Sequence, residues 1–181
     1  RTMPMSQVVE VLETHWGKGW EKHFSRFSFT PAAAASIGQV HRACDKGGRE
    51  LAVKIQYPGV RRSIDSDVDN VATLLKLSGL LPKNLNVAPL LNEAKRQLHE
   101  EADYHHEAQC LQRFRQLLDG DADFLLPEAI SALTSTDILV MSWVEGVAVE
   151  SLDTAPQAVR DRIASRLIGL FFRELFEFRL I

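Results

Sequence analysis

Cysteine is scarce in this chain: Cys44 and Cys110 lie far apart and neither has a Cys-x-x-Cys partner. That excludes a disulfide framework and a zinc-ribbon site, and fits a reducing compartment. A basic excess is also missing, since 21 Lys+Arg stand against 24 Asp+Glu for a net charge of -3 and a pI near 6.1. A phosphate-tracking surface needs clustered Lys and Arg, so no nucleic-acid partner is expected. Long apolar runs are lacking too: the longest uncharged one in the C-terminal part, Leu167 to Phe172, is far below the roughly 20 residues of a membrane span. The opening Arg1-Thr2-Met3-Pro4 has no apolar signal region, so a soluble segment is expected. Internal repeats are absent and the four alanines Ala32 to Ala35 are the one biased run. What is present is 45% hydrophobic and 25% charged residue in a chain of 181. Such a chain buries a real core, is too short for two large domains, and is neither disordered, collagenous nor coiled coil as a whole.

Periodicity organises the chain. Val8, Val9, Leu12, Trp16, Trp20 and Phe24 share one helical face, interrupted at Gly17-Lys18-Gly19, which predicts two short helices between Ser6 and Phe27 with Ser6 as the first N-cap. Ile37 to Cys44 and Leu51 to Tyr57 flank Asp45-Lys46-Gly47-Gly48 as a β-hairpin. A helix over Val60 to Ser78 follows the Pro58-Gly59 stop, closed by Gly79 and Pro82, and Pro89 opens a single long helix from Leu90 to about Leu118, ended by Gly120. Phe124 to Pro127, Ala129-Ile130 and Ile138 to Val144 read as short strands, and Pro156 to Leu180 as a final amphipathic helix. Helices, hairpin, helices, strands and helix in this order argue an α+β fold with an antiparallel sheet.

Several residues suit chemistry. The run Ala32 to Val40 is small enough for its backbone N–H groups to approach phosphate oxygens, although the same residues suit a tight turn packed on the core. Lys54 stands among Leu51, Val53 and Ile55, where a buried ammonium needs an anion; strand alternation with Ala52 and Gln56 would instead turn it to solvent. Glu100, Glu101, Asp103 and Glu107 concentrate carboxylate in eight residues, with Glu100, Asp103 and Glu107 on one face of a continuous helix; a solvated acidic face is the plainer alternative. His105 and His106 diverge by about 100° and lack the His-Glu-x-x-His spacing, so no metal site is expected there. Both cysteines are expected to be ordinary buried thiols, and Trp16, Trp20 and Trp143 to be packing residues. Met141, Ser142 and Val144 lie where a strand ends before Glu145-Gly146, a place from which backbone groups can face a flat heterocycle. A small-residue loop, a strand lysine, a helical glutamate and a strand break, in this order, are parts of a kinase-type nucleotide lobe.

With Ala33-Ala-Ala-Ser-Ile-Gly-Gln-Val-His41, Val53-Lys-Ile-Gln-Tyr-Pro-Gly-Val60, Ser63-Ile-Asp-Ser-Asp67, Glu101-Ala-Asp-Tyr104 with Glu107-Ala108, and Arg173-Glu-Leu-Phe-Glu-Phe178, the chain resembles the UbiB-like atypical kinase family of ubiquinone biosynthesis along nearly its whole length. The resemblance implies a protein-kinase-like fold: an N-terminal helical extension over 1–27, a nucleotide-binding small lobe over 28–146, and the first large-lobe helix over 147–181. It places Ala33, Ala34, Ala35, Ser36 and Gly38 over the nucleotide phosphates and pairs Lys54 with Glu107 as the catalytic lysine and glutamate. Glu101 and Asp103 fall on a regulatory E-x-D motif that restrains protein phosphorylation through a K-x-G-Q segment, and no such segment occurs in these residues. The implied function is the ATP-binding portion of an atypical kinase or ATPase supporting ubiquinone or related prenyl-quinone synthesis. The alternative is a non-catalytic nucleotide-binding or interaction module. ATP or ADP with Mg2+ are the implied cofactors, the metal's main ligands lying beyond Ile181 with the catalytic loop and D-F-G motif, so the 181 residues alone are expected not to turn over ATP. Prenyl-quinone biosynthesis proteins or lipid precursors are the implied partners. The implied location is cytoplasmic or on the mitochondrial matrix side, with membrane association only through flanking regions.

Overall fold

A computed structural model describes residues 2–78 and 87–179. The chain divides into two compact units, residues 1–112 with 127–143, and residues 113–126 with 144–181. In the first, β1 (Phe24–Ala34), β2 (Gly38–Asp45), β3 (Glu50–Gln56) and β4 (Ile138–Ser142) form one antiparallel sheet in that order. The β2–β3 hairpin forms where expected, because Gly48 adopts the positive φ of 84° that the turn requires and Asp45 Oδ1 accepts the Arg49 N–H at 2.9 Å. Leu51, Val53 and Ile55 of β3 are fully buried on one face against Val8 and Leu12 of α1 (Met5–Trp16) and against Trp20. Each such side chain is worth about 1.5–3 kcal/mol of burial. α2 (Val60–Leu77) forms as expected and packs on α3 (Ala88–Glu101), where Pro89 occupies the first turn. The expected stop of α2 at Gly79 and Pro82 lies outside the described residues.

Five local expectations are corrected. Ser6 does not cap α1; the chain enters the helix from Pro4, whose carbonyl accepts the Gln7 and Val8 N–H groups. The second short helix shrinks to one 3-10 turn, Trp20–His23, because Phe24 already pairs with Asp45 and buries its ring against Trp16 and Trp20. The alanine run is mostly strand, with the turn confined to Ala35–Ile37: β1 continues through Pro31, which an edge strand tolerates, and register shifts flank that proline. Helix 90–118 is broken after Glu101 and resumes as α4 (Tyr104–Leu117). Finally, Phe124 to Pro127 forms no strand, and Ala129 makes only an isolated bridge to Met141.

In the second unit, α5 (Gln157–Phe172) runs into a π-helical turn, Arg173–Phe178, whose Arg173 guanidinium donates to Asp121 Oδ2 at 2.8 Å. Phe178 packs edge-on against Phe114, with ring centroids 6.2 Å apart. Leu180, the expected helix end, lies outside the described residues.

Candidate functional site

Side chains alternate across β3, so Lys54 shares a face with Ala52 and Gln56, opposite Leu51, Val53 and Ile55. This face is largely covered, because Tyr104 and Ala108 of α4 pack there with Leu139 of β4. The ammonium needs a counter-charge, and α4 supplies it: Lys54 Nζ donates to Glu107 Oε1 at 2.8 Å and Oε2 at 2.7 Å. It also stands 4.7 Å from the centroid of the Tyr104 ring, a cation–π contact. Burial pushes the Tyr104 phenol's ionisation well above its ordinary value, helped by the Glu107 and Asp137 charges. The pair is only partly dry, with 18% of the Lys54 and 40% of the Glu107 side chain exposed.

The helix break is what aims Glu107. Gln56 Nε2 donates to the Ala102 carbonyl at 3.0 Å, and the Tyr104 N–H donates to Thr136 O at 3.0 Å, so the sheet holds the α3–α4 junction from two strands' ends. Asp103 then starts α4: its carbonyl accepts the His106 and Glu107 N–H groups and its Oδ1 accepts the His105 N–H at 3.0 Å. The expected common face of Glu100, Asp103 and Glu107 is therefore not realised. Glu100 pairs with Arg96, Asp103 turns to its own backbone, and Glu101 is exposed without an ion pair or hydrogen bond among the described residues. Removing the cap by Asp103→Ala is expected to cost about 1 kcal/mol of stability, measurable as a lowered denaturant midpoint.

A cavity of about 460 Å3 lies beside the pair, lined by Ser36, Ile37, Lys54, Glu100, Glu101, His106, Glu107 and Cys110. Of the residues that the family resemblance implies for the site, it brings together Ser36, Lys54, Glu101 and Glu107, and of the four clustered carboxylates it also takes in Glu100. Ala34 and Ala35 instead line a second cavity of about 710 Å3 with Thr2 and Met3, which Ser36 also borders, and Ala33 pairs with Val40 in the sheet. Gly38 is buried against the β3 backbone. Met141 packs at the edge of the Tyr104 cluster, and Ser142 spends its N–H and hydroxyl on Glu128 at 2.9 and 2.8 Å. Val144 falls in the other compact unit. Ile37, Glu100, His106 and Cys110 were not assigned a place on the cavity from sequence; the signal for the last two was their own i,i+4 spacing, one turn apart on α4. Cys110 is exposed rather than buried, with Sγ 3.5 Å from His106 Nε2, and Cys44 is half-buried. Among the described residues no three His, Cys, Asp or Glu side chains converge as a metal site.

The ABC1 atypical kinase-like domain family matches residues 1–181. The chain is 44% identical over 177 residues to the mitochondrial atypical kinase COQ8B of Danio rerio, covering 98% of this chain and 28% of that protein. It is 39% identical over 177 residues to the mitochondrial atypical kinase COQ8 of Saccharomyces cerevisiae, covering 98% of this chain and 35% of that protein. It thus spans 28% and 35% of the lengths of these two curated relatives. Among solved structures, Rv3197 of Mycobacterium tuberculosis, determined in complex with erythromycin, superposes with a TM-score of 0.72 at 31% identity, over 84% of this chain and 39% of that one.

Proposed function

Because this chain belongs to the ABC1 atypical kinase-like family, we propose that it is the nucleotide-binding part of an atypical kinase or ATPase serving ubiquinone or a related prenyl-quinone synthesis. The observation that carries the nucleotide reading is the Lys54–Glu107 pair at 2.7–2.8 Å on the wall of a cavity that also receives the Ser36 turn. An ammonium held by a carboxylate yet partly open to a cavity keeps donors for the oxygens of a di- or triphosphate. Magnesium enters as the companion of those phosphates, bridging their oxygens, with its main protein ligands expected beyond Ile181. Glu101, on the same cavity and without a side-chain partner among the described residues, is the carboxylate available for a regulatory contact, whereas Asp103 is engaged as the α4 cap. The mitochondrial names of the relatives support a mitochondrial location, within which our reading is the matrix side, with prenyl-quinone biosynthesis proteins or lipid precursors as partners.

Calorimetric titration with ATP and with ADP, each with Mg2+, tests this reading. Saturable binding of at least one nucleotide is expected; no heat and no thermal shift from either would overturn it. The same titrations check the alanine run. Ala33 carries a Cβ in an edge strand, and Ala33→Gly frees that backbone, so the ratio of ATP to ADP affinity is expected to change.

A further inference from the structure

Two polar side chains are buried directly beneath the alanine run, and the nucleotide reading uses neither. Gln39 is 1% and His41 0% exposed, on the same face of β2. Their hydrogen bonds have one consistent assignment. The Met3 N–H donates to Gln39 Oε1 at 3.0 Å, so the Gln39 amide nitrogen is the group facing His41 Nε2 at 2.8 Å. His41 Nε2 must accept from that amide, which puts the ring proton on Nδ1, and Nδ1 donates to the Ser28 carbonyl at 2.8 Å. The chain Met3 to Gln39 to His41 to Ser28 is complete.

Its two ends grip what the sheet holds poorly. Between Phe27 and Ala33 the β1–β2 register shifts on both sides of Pro31, which has no N–H to give, and Ser28 lies in this irregular stretch. At the other end, Met3 lines the cavity shared with Ala34 and Ala35, and Gln39 is the ladder partner of Ala34. We propose that Gln39 and His41 are positioning residues: through Ser28 on one side and Met3 on the other they fix the Ala32–Ser36 segment and hence the Ser36 turn on the nucleotide cavity. The significance of that position rests on the nucleotide reading; the positioning itself does not.

The relay works only with neutral His41. A protonated ring presents N–H to the Gln39 amide, and rotating that amide leaves the Met3 N–H facing a donor, so one buried donor loses its acceptor in either arrangement. Burial lowers the His41 pKa from 6.5, opposed by the Ser28 carbonyl. The groups facing the ring are Phe27, stacked at 5.5 Å, Ser28 and Gln39, and no charged side chain bonds to it among the described residues. With the folded value depressed, the contribution is whole above 6.5 and is lost as pH falls below it towards the folded value.

Amide hydrogen exchange without nucleotide tests the proposal. His41→Phe keeps the stacking and removes both nitrogens; it is expected to raise exchange across Ala32–Ser36 about tenfold while Leu51–Ile55 stay protected. His41→Asn, which returns a donor towards Ser28, should recover most of that protection. In the parent, protection of Ala32–Ser36, corrected for intrinsic rates, should fall first as pH drops below 6.5, and this measurement decides the matter if the phenylalanine variant does not fold. Unchanged exchange in the segment, or equal loosening of β2–β3, would overturn the proposal. Nucleotide titration of the same variants separates the two readings: a parent that binds no nucleotide defeats the proposed function, while the exchange result still judges the positioning.

Discussion

Lys54→Ala is expected to weaken ATP and ADP binding by about tenfold to a hundredfold, the equivalent of about 1.5–3 kcal/mol for a charge-assisted hydrogen bond. Stability should fall much less. A fully buried pair loses about 3–5 kcal/mol when one partner is removed, but the Glu107 side chain is 40% exposed and stays hydrated without Lys54. The expected loss is therefore about 1 kcal/mol, including the contact with Tyr104. Calorimetry and denaturant unfolding on the same preparation check the two figures together. Unchanged affinity in a folded variant would remove Lys54 from the phosphate site. Glu107→Gln separates the partners further: it leaves the ammonium free and should disturb affinity less than Lys54→Ala does.

The largest loss of stability is expected from Gly38→Ala. A Cβ at this position would lie 2.2 Å from the Ile55 carbonyl oxygen, 3.0 Å from its carbon and 3.1 Å from Gln56 Cα. All three atoms are β3 backbone, so no side chain can swing aside and the strands must part. Overpacking of this kind costs about 1–3 kcal/mol, and the neighbouring bonds, Ala35 N–H to Gly38 O and Tyr57 N–H to Ile37 O, both 2.9 Å, are strained with it. A loss of about 3 kcal/mol or more is expected in equilibrium unfolding. Because Lys54 is the residue before Ile55, nucleotide affinity should fall as well. Gly38 was singled out as a residue over phosphates; what the structure demands of it is room for two strands to meet, and a denaturation midpoint within error of the parent would refute that demand.

The legible parts of the fold are those whose signals are local. The β2–β3 hairpin follows from two alternating apolar runs around a Gly-containing turn, and α2 from the period of Ile64, Val68 and Val71 after Pro58-Gly59. That Lys54 needs a counter-charge from the carboxylate-rich helix was legible in the residues, which left four candidates open; the family resemblance implied Glu107 among them, and the structure pairs the two. The alternative that Lys54 faces water failed for a reason outside the strand: Tyr104 and Ala108, far along the chain, cover that face.

What periodicity could not show is where a distant element interrupts it. The pattern from Leu90 to Leu118 is continuous as a helical repeat, but Gln56 and Thr136 take up the Ala102 carbonyl and the Tyr104 N–H, and those two bonds favour the break over an unbroken helix. Pro31 reads as an interruption until β1 is known to be the sheet edge, where a missing N–H leaves no neighbour unsatisfied. Composition and spacing determined the α+β class, the central hairpin and the need of Lys54 for a counter-charge, while the family resemblance named Glu107 as its partner. Tertiary structure decided the direction of Glu107, the cavity wall and the buried Gln39–His41 relay, because each depends on hydrogen bonds between residues remote in sequence, which no local preference encodes.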